Sequence, residues 1–145
     1  MKIRVETDES LHETEVLIRC NAADEHVESI VASLRMHDSR IVGVRDGDKI
    51  AVAVGDILYI ESVDARAFAY MRDTVIEVAL RLCELEEKLE TCGFVRAAKN
   101  CLVNVNRITS FAPYVGGRLL ATLDNQEQIV VSRKYANDIK AKLLS

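Results

Sequence analysis

Residues 93–107 read Gly-Phe-Val-Arg-Ala-Ala-Lys-Asn-Cys-Leu-Val-Asn-Val-Asn-Arg, a basic, amide-rich loop joined directly to a strand-like run. An enzyme usually places a nucleophile, a general base or a metal ligand in such a loop. What this one offers at Arg96, Lys99 and Asn100 is hydrogen-bond donors and positive charge, the groups that hold phosphates and read base edges. A second cluster, Ser132-Arg133-Lys134, opens a segment with helical spacing. The free N–H groups of a helix start favour a phosphate, so Ser132 and Arg133 are read as phosphate contacts.

Net charge is −4 over 145 residues, which by itself argues against a polyanionic partner. Its distribution argues the other way. Residues 1–92 hold 11 Lys and Arg against 20 Asp and Glu, whereas residues 93–145 hold 8 against 3. A basic segment on an acidic chain is expected where one surface meets nucleic acid, and it also arises from an ordinary solvated face.

Other chemistries find little support. Cys20, Cys83, Cys92 and Cys101 are scattered without a Cys-x-x-Cys, and His12, His26 and His37 lie away from three of them. Reduced thiols are expected, and no metal site. Glu84, Glu86, Glu87 and Glu90 fall opposite a leucine stripe, where solvated charges belong. There is no phosphate-cradling glycine loop and no Ser-His-Asp or Cys-His set, so neither an enzyme nor a cofactor is expected. No apolar run approaches the ~20 residues that span a bilayer, and the start of the chain lacks a signal peptide's apolar core. A cytoplasmic protein is expected.

The elements that must position these residues are mostly strands. Residues 2–6 and 14–20 alternate apolar and polar side chains and predict two strands. Asn21 is the expected cap of a helix carrying Val27, Ile30, Val31 and Leu34 on one face, ending at His37-Asp38-Ser39. Extended chain resumes at Ile41, which makes residues 1–45 a β-β-α-β unit. Asp46-Gly47 and Gly116-Gly117 predict tight hairpins, and Leu82, Leu85 and Leu89 predict a short helix closed by Gly93. Tyr135, Ile139 and Leu143 mark a final helix capped by Ser132.

Three blocks together resemble a known family. Gly55-Asp56-Ile57-Leu58-Tyr59-Ile60-Glu61-Ser62, the Phe-x-Arg-x-x-Lys-x-x-Leu-Val-Asn pattern beginning at Phe94, and Val131-Ser132-Arg133-Lys134-Tyr135 occur in this order over about residues 50–145. This is similar to the LytTR-type DNA-binding domain of bacterial transcriptional regulators. The resemblance implies stacked antiparallel β-sheets whose edge loops, rather than a recognition helix, enter successive major grooves. It points to Arg66, in the turn after Ser62, to Lys99 and Asn100, and to Arg118, Ser132, Arg133 and Lys134. By side-chain geometry Arg66, Asn100 and Lys134 are the base-contact candidates. Arg66 reads equally as a solvated arginine, and Asn100 as an amide bonding its own backbone. Arg96 is expected to brace the loop, and Asn104 to stabilise a turn. Ala98 stands where the family often has histidine and Asn100 where it often has serine, so relatives' base preferences do not carry over. Many relatives also carry a phosphoacceptor receiver domain, for which residues 1–45 are too short.

The expectation is a mostly β protein with short helices. Residues 1–45 serve dimerisation or sensing, and residues 46–145 form a LytTR-type domain that binds promoter DNA as a homodimer on repeated half-sites. Two alternatives remain: a protein-interaction or membrane-partnered signalling module without DNA binding, and a small-ligand sensor in the first 45 residues.

Overall fold

Turn chemistry sets the frame of the molecule. The computed structural model describes residues 1–144, beginning with a segment of turns and irregular chain that leads into helix α1 (Glu25–Asp38). Strands β1 (Arg40–Arg45) and β2 (Asp48–Ala53) then meet at Asp46-Gly47, where φ is 51° and 83°. Asp tolerates this left-handed backbone and Gly adopts it freely, which closes the hairpin with the twist that strands require. β3 (Ile57–Val63) turns through Asp64-Ala65, both again at positive φ, into β4 (Arg66–Met71), and β5 (Val75–Val78) pairs with β4.

Helix α2 (Leu82–Leu89) buries Leu82, Leu85 and Leu89, the stripe that its spacing predicts, and Gly93 stops the following turn at φ 90°. β6 (Phe94–Ala98) and β7 (Cys101–Asn104) form the next hairpin. β8 (Ile108–Tyr114) and β9 (Arg118–Leu123) pair around Gly116-Gly117, β10 (Gln128–Val131) joins β9, and α3 (Arg133–Leu144) closes the described chain. The strands make an antiparallel seven-stranded sheet, β2-β1-β5-β4-β3-β7-β6, and a three-stranded sheet, β10-β9-β8.

Two cores flank the larger sheet. On one side Ile41, Val52, Ile60, Phe94 and Leu102 pack with the α2 leucines. On the other, Leu58, Ala97, Cys101 and Val103 meet Leu119, Leu123 and Val131 of the small sheet and Ile139 of α3. All four residues of β7 are therefore buried, because alternate side chains feed opposite cores. Truncating a fully buried leucine such as Leu85 should cost about 2–5 kcal/mol.

Several local expectations are corrected. Residues 2–6 and 14–20 form no strand, and residues 1–24 carry no helix or strand at all. Ile3, Val5 and Val16 are 79%, 87% and 61% exposed, so their alternating pattern has no sheet edge to answer it. The cap of α1 is Asp24, whose carboxylate accepts from Val27 N at 3.0 Å, in place of Asn21. The loop expected over residues 93–101 is mostly strand: only Gly93, Lys99 and Asn100 lie outside β6 and β7. β1 is hydrogen-bonded to both β2 and β5 and is thus an interior strand of the large sheet.

Candidate nucleic-acid interface

β3, β6 and β7 carry their turns to one end of the large sheet. β3 runs up to Asp64-Ala65, and β7 runs antiparallel to it, pairing Glu61 with Cys101. This places the Lys99-Asn100 turn beside the end of β3, where Ser62 N donates to the Asn100 carbonyl at 2.8 Å. A bulge in β6 at Ala97 then aims that residue's carbonyl sideways, and it accepts Ser132 N at 2.8 Å. Bulges of this kind re-aim side chains at functional edges. Finally, the Arg133 side chain crosses Gly117 so closely that a Cβ there would lie 2.9 Å from Arg133 Cδ. The β3–β4 turn, the β6–β7 turn, the start of α3 and the β8–β9 turn are thus joined in series.

Every residue selected from the sequence falls on this series, but their environments differ. Lys99 and Asn100 are exposed at the tip of a two-residue turn. Arg118 is exposed as the first residue of β9, with its Nε donating to the Val115 carbonyl at 2.8 Å and its guanidinium 4.8 Å from the Tyr114 ring. Arg133 and Lys134 are exposed in the first turn of α3, with Lys134 Nζ 5.4 Å from the Tyr135 ring. Ser132 precedes that turn, and its amide is already committed to Ala97. Its carbonyl accepts Ala136 N at 3.0 Å, as the residue before a helix does.

Arg66 is the exception in charge. It opens β4 and forms an ion pair with Glu77 of β5, while its guanidinium lies 5.5 Å from the Phe68 ring. Among the described residues, Lys99, Arg118, Arg133 and Lys134 make no salt bridge. The unneutralised positive charge of the series is therefore concentrated between the β6–β7 turn and the start of α3.

Two residues behind the series brace it. Arg96 Nε and Nη2 donate to the Glu86 carboxylate at 2.9 and 3.1 Å, and Nη1 donates to the Lys99 carbonyl at 2.5 Å. Glu86 is thus no merely solvated charge, contrary to the expectation for the acidic face of α2. Arg96 holds its carboxyl below the usual range, chiefly through these hydrogen bonds. At the opposite end of the sheet Asn104 is fully buried, donating to the Ile57 carbonyl and accepting Asn106 N. Helix α1 lies at that end too, with Met36 Sδ against the Asn104 amide.

The partners Glu77, Glu86, Ser62 and Gly117 escaped sequence reasoning, since each meets its residue through tertiary contact. Gly117 was legible only as a turn glycine, since its own φ of 76° already calls for one. Among the described residues no group of three or more His, Cys, Asp or Glu is placed to hold a metal.

Antiparallel sheets stacked in layers, with basic and amide side chains on the turns of one edge and no helix projecting from it, define a class of nucleic-acid-binding domain. Residues 48–144 match the LytTr DNA-binding domain family. The chain belongs to that family. A solved LytTr DNA-binding domain from Bacillus cereus superposes with a TM-score of 0.66 at 25% identity, covering 73% of this chain and 97% of that one. The sensory transduction protein LytT of Enterococcus faecalis is 26% identical over 106 residues, which are 72% of this chain and 44% of that protein. The LytT of Bacillus cereus is 31% identical over 96 residues, 66% of this chain and 38% of that protein. The chain thus spans less than half the length of these curated relatives.

Proposed function

We propose that the protein is a sequence-specific, DNA-binding transcriptional regulator that reads successive major grooves with the turns of one sheet edge. The observation that carries this reading is the series itself: in a chain of a DNA-binding family, four segments rich in Lys, Arg and Asn are linked through Ser62–Asn100, Ala97–Ser132 and Gly117–Arg133. Lys99, Arg118 and Arg133 supply phosphate contacts, with Ser132 beside them. Affinity from such contacts is dominated by counterion release and falls with salt. Asn100 suits an adenine edge, and Lys134 and Arg66 suit guanine. Arg66 must first give up or share Glu77.

The dimer belongs to the same proposal. Residues 1–24 expose apolar side chains, and α1 buries none of its residues, so the N-terminal region has surface left for a second copy. Helix α1 also lies at the end of the sheet away from the candidate contact turns. Residues 1–45 thus act in dimerisation or sensing, and residues 46–145 bind paired half-sites. No helix among the described residues is long and apolar enough to cross a membrane, which accords with a cytoplasmic location.

Selection of bound fragments from genomic DNA, followed by footprinting, tests the proposal. A protected sequence with two spaced half-sites is the expected result. Lys99→Ala should then weaken binding and reduce the salt slope by roughly 1, as loss of one phosphate contact requires. Failure to enrich any sequence, with salt-insensitive capture of a protein or membrane partner, would establish a signalling module instead.

A further inference from the structure

The side chains of a two-residue turn can read DNA only if the turn's backbone is held in one place. Asn100 is held from one side by Ser62 N. The Ala98–Cys101 pair closes the turn at its base, and on the other side Arg96 adds a side-chain brace, its Nη1 reaching the Lys99 carbonyl. Arg96 has four rotatable side-chain bonds, and two of its remaining donors, Nε and Nη2, are occupied by Glu86 in a fork that fixes the guanidinium plane.

We infer that Glu86, on α2 and behind the candidate DNA-facing edge, is a positioning residue for DNA recognition: it orients Arg96 and thereby sets the Lys99-Asn100 turn. This rests on the proposed interface. Glu86 itself sits ten residues before Arg96, on an acidic helix whose charge should repel DNA. Its effect through Arg96 and its effect through bulk charge are therefore opposite in sign. Removing the carboxylate removes repulsion, so long-range electrostatics alone would tighten binding. Loss of the brace weakens it.

The experiment measures affinity against salt for the full chain, Glu86→Ala and Lys99→Ala on the selected DNA site, with the double variant to complete the cycle. Glu86→Ala should weaken specific binding on the order of 5- to 10-fold, the scale of a charge-assisted hydrogen bond at a partly exposed site. Its salt slope should stay that of the parent, because no phosphate contact is lost, whereas Lys99→Ala lowers the slope. The double variant should lose less than the product of the two single losses. The Glu86 side chain is 42% exposed and Ala favours helix, so the fold should persist. Should it not, Glu86→Gln, which keeps one acceptor for Arg96, replaces it with the same sign and a smaller loss. Unchanged or tighter binding, or a slope reduced as in Lys99→Ala, overturns the positioning role. If Lys99→Ala and Asn100→Ala both leave specific binding unchanged, the interface itself is misplaced and the positioning role goes with it.

Discussion

Asn104 fastens the end of β7 to the start of β3: its Nδ2 donates to the Ile57 carbonyl at 2.9 Å across 47 positions of sequence. Its Oδ1 meanwhile accepts Asn106 N at 3.1 Å, so the amide also closes the turn that follows β7. It is the one buried polar residue among those described.

Asn104→Leu should therefore destabilise the fold by about 1–3 kcal/mol, since the carbonyl of the fully buried Ile57 loses its partner. Urea unfolding of the two proteins measures this. A loss of a few tenths or less would mean that the strand ends re-pair without the amide.

Arg66 and Arg133 should behave differently on DNA. Arg66→Ala should relax discrimination at one base pair by about 1–3 kcal/mol, whereas Arg133→Ala should weaken all sequences alike. Binding to the selected site, to single-base variants and to random DNA separates the two. Uniform losses for Arg66→Ala would make it an anchor. Because Arg66 is paired with Glu77, Glu77→Gln should by contrast strengthen binding by releasing that charge.

The N-terminal segment before α1 should govern assembly. The full chain is expected to sediment as a dimer at micromolar concentration and residues 24–145 as a monomer, with α1, its cap Asp24 and the whole large sheet retained in both. A cut at residue 46 is unsuitable because it removes β1 from between β2 and β5. Monomers in both cases would place the dimer contact elsewhere or reserve it for DNA.

Cys101 should make stability fall at alkaline pH. Burial pushes its thiol up to about 12, whereas an unfolded cysteine titrates near ~8.5. The folded state thus keeps a proton that the unfolded state loses, and the contribution is fully present below about 8.5 and is lost as pH rises toward 12. Urea midpoints at neutral pH and at about pH 10 should drop more for the parent than for Cys101→Ala. The same environment should make Cys101 slow toward a thiol reagent, while the exposed Cys20 and Cys83 react quickly. Parallel pH curves would reject the assignment.

What the sequence disclosed depended on how local the signal was. Asp46-Gly47 and Gly116-Gly117 specify their hairpins through φ alone, and the leucines of α2 specify their buried face through spacing. Residues 2–6 and 14–20 show the limit: alternation says which side chains a strand would present, not whether an edge exists to receive it. β6 failed in the opposite direction. Phe94 and Val95 feed opposite cores and Ala97 sits in a bulge, so no alternation survives to mark a strand. The candidate contact residues were chosen as residue types in a resembling motif, and that they share one edge follows from strand registers. The pairing of Arg66 with Glu77 and of Arg96 with Glu86 was not legible, because ion pairs 11 and 10 positions apart on different elements leave no periodic trace.

The feeding of β7 into two cores restricts how this protein can diversify. Leu102 belongs to one core and Cys101 and Val103 to the other, so lengthening the Lys99-Asn100 turn by one residue and shifting the register would exchange the two sets across the sheet. A register shift is therefore closed to this hairpin. On the proposed reading a new target is reached by exchanging side chains on a fixed frame, at positions 99 and 100 as at 66 and 134.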